Sequence, residues 1–104
     1  MRNRLLFADQ SIVGATTTLL GSVDCDPNNG LMILAKGDVE FTILVKHSDV
    51  DENGLNPTEF DDDSFVVGVI GSVIRINPGG NKINIYAVTS EDTDVIARVY
   101  PRKV

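Results

Sequence analysis

The chain has 104 residues, 42% of them hydrophobic, and a formal charge of −6 at pH 7. That length supports a single domain, because two halves would each be too small to bury a useful core. The apolar fraction argues against disorder, no apolar run approaches the roughly 18 residues of a membrane span, and the acidic balance disfavours nonspecific nucleic-acid binding.

The N-terminus, Met1-Arg2-Asn3-Arg4-Leu5-Leu6-Phe7-Ala8-Asp9, starts like a signal peptide, but its apolar run of four residues is too short for an h-region. Residues 1–8 are expected to form an arm or an edge strand. Removing such an arm would release the protein from a partner without unfolding the core. Residues 11–15 are weakly extended, and 16–24 read as a strand with Gly21 as a candidate bulge. Cys25 is the lone cysteine, so no internal disulfide can form. It reads as a small strand side chain, since no neighbouring base would activate it.

Asp26-Pro27-Asn28-Asn29-Gly30 is a turn, and residues 31–35 form a wholly apolar strand, expected to be central. Lys36-Gly37-Asp38 turns again. Val39, Phe41, Ile43 and Val45 then share one face, with Glu40, Thr42, Leu44 and Lys46 on the other. Residues 31–46 therefore predict a hairpin. Residues 65–76 carry Gly68 and Gly71 and read as two strands or one bent strand. Asn77-Pro78-Gly79-Gly80-Asn81 suits a type II turn. Lys82–Thr89 places Ile83, Ile85 and Ala87 on one face. After a turn over 90–93, residues 94–100 place Val95, Ala97 and Val99 on one face and Ile96, Arg98 and Tyr100 on the other. Residues 101–104 read as a basic tail. Seven or eight short strands at this spacing predict an antiparallel β-sandwich, jelly-roll or immunoglobulin-like, over residues 1–104.

Residues 47–64 read as an acidic loop. Positions 49–63 hold seven acids and no Lys or Arg, whereas the rest of the chain has eight acids against nine bases. Asp49-Val50-Asp51-Glu52-Asn53-Gly54 matches the first half of an EF-hand loop. The second half departs from it: Phe60 stands where a bidentate Glu is required, and Pro57 lies inside the loop. The segment reads as a solvated loop, with a looser calcium site as the competing reading. Asp61-Asp62-Asp63 does not predict the separated carboxylates of a glycosidase. Gly79-Gly80 is too short to cradle phosphate, and His47 reads as a surface or loop residue. No enzyme, metal or cofactor is expected.

Two features point to binding. Arg2 and Arg4 at one terminus, with Arg98, Arg102 and Lys103 at the other, could form a basic patch. Set opposite the acidic loop, that patch would make the domain electrically polar. Apolar residues on both faces of several strands, Leu44, Ile96 and Tyr100 among them, suggest surface buried in an oligomer.

Val45-Lys46-His47-Ser48-Asp49, then Gly54, Phe60, the acidic cluster and residues 65–71 resemble small tailed-phage virion proteins, as does the closing Pro101-Arg102. The resemblance covers roughly residues 39–104. The chain departs from it in a longer 49–59 insertion, and residues 82–86 are the nearest counterpart of the group's arginine-tyrosine-valine-arginine strand. The resemblance implies a non-enzymatic capsid decoration or cement protein on the phage head surface, often trimeric, with the major capsid protein or other virion proteins as partners. Arg2, Arg4, Phe7, Arg102 and Lys103 are the expected contacts. A tail or neck component, or a calcium- or carbohydrate-dependent binding module using the acidic loop, are the alternatives.

Overall fold

The computed structural model describes residues 6–24, 29–49, 53–55, 58–77 and 82–103, with positions 7, 29, 61, 62, 102 and 103 described by their backbone alone. The described residues form eight strands: β1 (Leu6–Ile12), β2 (Thr17–Asp24), β3 (Asn29–Gly37), β4 (Phe41–Asp49), β5 (Thr58–Val67), β6 (Ser72–Ile76), β7 (Lys82–Thr89) and β8 (Thr93–Lys103). They form two antiparallel four-stranded sheets, ordered β1-β8-β3-β6 and β2-β7-β4-β5. The all-β sandwich expected from the strand spacing is the observed architecture.

The pairing is nested: β4 with β5, β3 with β6, β2 with β7 and β1 with β8. A single long hairpin folded over on itself produces this order. It is the jelly-roll arrangement, which decides between the two topologies that strand spacing left open. The core lies between the sheets. Ile33, Ile43, Ile83, Ile85, Ala87, Val95, Ala97 and Val99 are fully buried there. These residues alternate with more exposed neighbours along their strands, which is the period-2 signature that identified the faces. The apolar strand β3 lies between β8 and β6, as its composition suggested.

The hairpin expected over 31–46 is not formed. β3 and β4 lie in different sheets, and residues 38–40 carry the chain from one to the other. A tight turn after a strand serves either a hairpin or such a crossing. The long-range partners of β3, namely β8 and β6, decide which. The segment 65–76 does split in two. Gly71 adopts φ 95° and donates its N–H to the Gly68 carbonyl at 2.9 Å, closing a turn that also crosses between sheets.

Of residues 1–8, expected as an arm or an edge strand, positions 6–8 open the edge strand β1, with Ala8 buried and Leu6 packed against the core, and positions 1–5 lie outside the described residues. Two further expectations need correction. Residues 101–103 are not a tail; they pair with β3, Pro101 opposite Leu31 and Arg102 opposite Gly30. The acidic stretch is not a loop over 47–64. β4 continues to Asp49 and β5 resumes at Thr58, so only residues 50–57 connect them. Asp61 and Asp63 pair with Lys46 and Val45 across a register shift that leaves Asp62 as the extra residue. Pairing with β4 satisfies the backbone of an acidic run that composition alone assigns to solvent. β5 is also an edge strand, and charges with a bulge on an edge discourage backbone pairing with a strand of another chain. Gly21 sits at the bulge predicted for β2, where the register shifts between Leu19 and Gly21.

Candidate interaction surfaces

Each sheet presents an outer face, and the two differ in chemistry. On the β2-β7-β4-β5 sheet a polar clasp spans the strands. Ser22 Oγ donates to Asn84 Oδ1 at 2.7 Å, Asn84 Nδ2 donates to Glu59 Oε2 at 2.7 Å, and the Tyr86 hydroxyl donates to the same oxygen at 2.7 Å. Lys46 Nζ lies 3.9 Å from Glu59 Oε1 and 5.4 Å from the centre of the Tyr86 ring. One carboxylate thus reaches over β4 to tie the edge strand β5 to β7, and Asn84 extends the tie to β2.

The hydrogen bonds from Tyr86 and Asn84, with a smaller contribution from Lys46, hold the Glu59 carboxyl below the usual carboxylate range. Donating that bond to Glu59 raises the Tyr86 hydroxyl above its ordinary value, with burial and the carboxylate charge adding to it. The depressed Glu59 value means that its stabilisation is present above the unfolded-chain pKa and is lost as pH falls through the folded value. The raised Tyr86 value means that its contribution is present below the ordinary tyrosine pKa and lost as pH rises through the folded one. Glu59→Gln is expected to cost about 0.5–1 kcal/mol at neutral pH, since the clasp is largely solvent-exposed. Thermal melts should show the gap between variant and wild type closing as pH falls below the ordinary carboxylate range and through the depressed Glu59 value. A gap independent of pH would mean that the charge plays no part in the clasp.

The outer face of the β1-β8-β3-β6 sheet is more apolar. Register lines up Arg75, Met32 and Tyr100 in one row, Val73, Leu34 and Arg98 in the next, and Lys36 and Ile96 in a third. Met32, Leu34, Ile96 and Tyr100 are only half-buried there, Val73 is exposed, and Ile70 in the β5–β6 turn is 92% exposed. Val69 in the same turn is also exposed, whereas exposed Val66, which alternates with buried Val67 on β5, belongs to the outer face of the other sheet. The two-sided strand β8 seen in the sequence contributes Ile96 and Tyr100 to this face. Met32 and Leu34 were missed as surface residues, because a wholly apolar run does not reveal which side faces out.

Of the expected contact residues, Phe7 lies in β1 opposite Arg98, while Arg102 and Lys103 close β8 opposite Gly30 and Asn29. All three belong to this one sheet. Arg2 and Arg4 lie outside the described residues. The expected opposition of basic termini and acidic segment is not observed. The start of β1, the end of β8 and the β4–β5 connection are all at one end of the sandwich, as the nested registers require.

The calcium reading falls partly outside the described residues, which include Asp49, Asn53 and Gly54 but not Asp51 or Glu52. Gly54 makes its turn at φ 75°. Glu59, beside the twelfth position, is engaged by Tyr86 and Asn84 on the sheet face. Among the described residues, no group of three or more His, Cys, Asp or Glu is placed to hold a metal ion. His47 is a half-buried strand residue opposite Ile83 rather than a loop residue. Cys25 lies outside the described residues.

No family model matches the sequence, and no curated protein does. The fold is similar to a crystal structure of PirA, with a TM-score of 0.58 over 93% of this chain and 94% of that one, at 14% sequence identity. That likeness is one of fold.

Proposed function

We propose that this chain is a non-enzymatic virion structural protein, a decoration or cement protein that stabilises a phage head by binding across capsomers. The observation that carries the reading is the apolar outer face of the β1-β8-β3-β6 sheet, which includes exposed Val73 and adjoins exposed Ile70 in the β5–β6 turn. Apolar surface of this kind on a small domain marks an interaction site. The cement mechanism needs buried interface and no reaction: contacts made only in the assembled shell stabilise it by mass action. Arg2, Arg4, Phe7, Arg102 and Lys103 are the proposed contacts to the major capsid protein, and three-fold association is the proposed oligomer. Phe7, Arg102 and Lys103 lie on neighbouring strands of that sheet.

Because β1 begins at Leu6, the arm experiment must stop at residue 5. The first test is mass spectrometry of purified particles of the phage that encodes the chain. The protein is expected in a fixed ratio to the major capsid protein, and Arg2→Glu/Arg4→Glu should reduce that ratio while leaving the free protein folded. Absence from particles would overturn the reading. An unchanged ratio in the double variant would remove the two arginines from the contact.

A further inference from the structure

We infer that a second copy of this chain docks head-to-tail on the first, with the Phe60 edge of one copy seated in a groove on the outer face of the other. The inference deepens the assembly reading above and rests on it. The groove is a shallow depression of about 320 Å³ beside the β5–β6 turn, with Leu34, Ile70, Val73 and Ile96 as its apolar lining and Lys36 and Arg98 among its lining residues. Asp9 on β1 stands opposite Ile96 at the rim of the groove, which sets one acid against the two cations of the lining. A complementary occupant is an extended, acidic segment with an exposed apolar anchor.

The chain itself carries such a segment. Phe60 is 56% exposed, and it stands in Glu59-Phe60-Asp61-Asp62-Asp63 on the edge strand β5. A large apolar side chain that fills a desolvated pocket can carry much of an interface's binding energy. A copy cannot fill its own groove. Phe60 pairs with His47 near the end of the sandwich that holds the β4–β5 connection, whereas Lys36, Ser72 and Ile96 sit near the opposite end. Two different patches meeting in each contact make the association heterologous, and a heterologous contact closes into a ring when its rotation permits, a three-fold ring included.

The test uses the full chain in light scattering and sedimentation at concentrations up to about 0.5 mM, a range that would reveal even weak self-association. Wild type is expected to self-associate, and more weakly as salt rises, because surface charges are screened. Phe60→Asp and Ile70→Asp should each weaken association by roughly tenfold or more. Both sites are exposed, so the thermal midpoints should hold. A mixture of the two variants should form a 1:1 heterodimer, because one supplies an intact edge and the other an intact groove. A monomeric wild type, association unaffected by either substitution, or a mixture that fails to pair would each overturn the inference. Particle incorporation is read separately, so a monomer found in particles would overturn the docking and leave the proposed function standing.

Discussion

Ile85→Ala is expected to lower stability by about 3–5 kcal/mol, the largest loss of any single substitution considered for this chain. Ile85 is fully buried on β7, which has β2 on one side and β4 on the other. Its register partners are Val45 on β4 and Gly21 on β2. Gly21 has no side chain to fill space vacated by the isoleucine. The strands flanking Ile85 are tied across the outer face by Glu59, Asn84 and Ser22, which limits inward collapse. A cavity that cannot close adds its own cost to the lost transfer free energy. Domains of this size have about 5–15 kcal/mol in total, so the variant should unfold at markedly lower denaturant. Urea melts should give a lower midpoint with an unchanged slope. A loss below about 1 kcal/mol would mean that the two sheets repack freely around the site.

Gly14→Ala is the second large effect, expected to cost about 1–3 kcal/mol or more. A Cβ at Gly14 would stand 2.5 Å from Glu91 Cα and 2.7 Å from its carbonyl carbon. The obstruction is backbone, so no side-chain rotation relieves it. The β1–β2 and β7–β8 turns must separate instead, and several bonds hold them together. Gly14 N–H donates to Asp92 Oδ1 at 2.8 Å, Ala15 N–H donates to the Thr89 carbonyl at 2.8 Å, and Ser11 Oγ donates to Asp94 Oδ1 at 2.6 Å. The thermal midpoint should fall by several degrees for each kcal/mol lost. Gly68→Ala is the matched control: an added Cβ there meets nothing within 4 Å, so the change should be neutral or slightly stabilising. Equal midpoints for the two variants would show that the turn contact is loose in solution.

The clasp around Glu59 accounts for an acid that composition assigns to a solvated loop. Its carboxylate is too far along the chain from Asn84 and Tyr86 for any local pattern to connect them. Tertiary pairing of β5 with β4, and of β4 with β7, brings them within hydrogen-bond distance. The same pairing converts Asp61-Asp62-Asp63 from a loop into an edge strand. The groove was equally hidden, since Ile70 and Val73 come from one segment and Leu34 and Ile96 from two others.

Several features were determined by the sequence alone. Alternation along residues 82–89 and 94–100 assigned Ile83, Ile85, Ala87, Val95, Ala97 and Val99 to the interior, and all six are fully buried. Side-chain direction in a strand reverses at every residue, so a period of two carries the face assignment without tertiary information. Turn chemistry likewise punctuated the strands. Tertiary structure decided which strands are neighbours. A short turn after Gly37 permits a hairpin or a crossing between sheets at similar local cost, and the choice rests on β3 finding β6 and β8 as partners more than thirty residues along the chain. Backbone hydrogen bonding between strands is nearly independent of side-chain identity. Partner choice therefore follows from burying all the inward faces at once, a property of the whole chain that no segment contains.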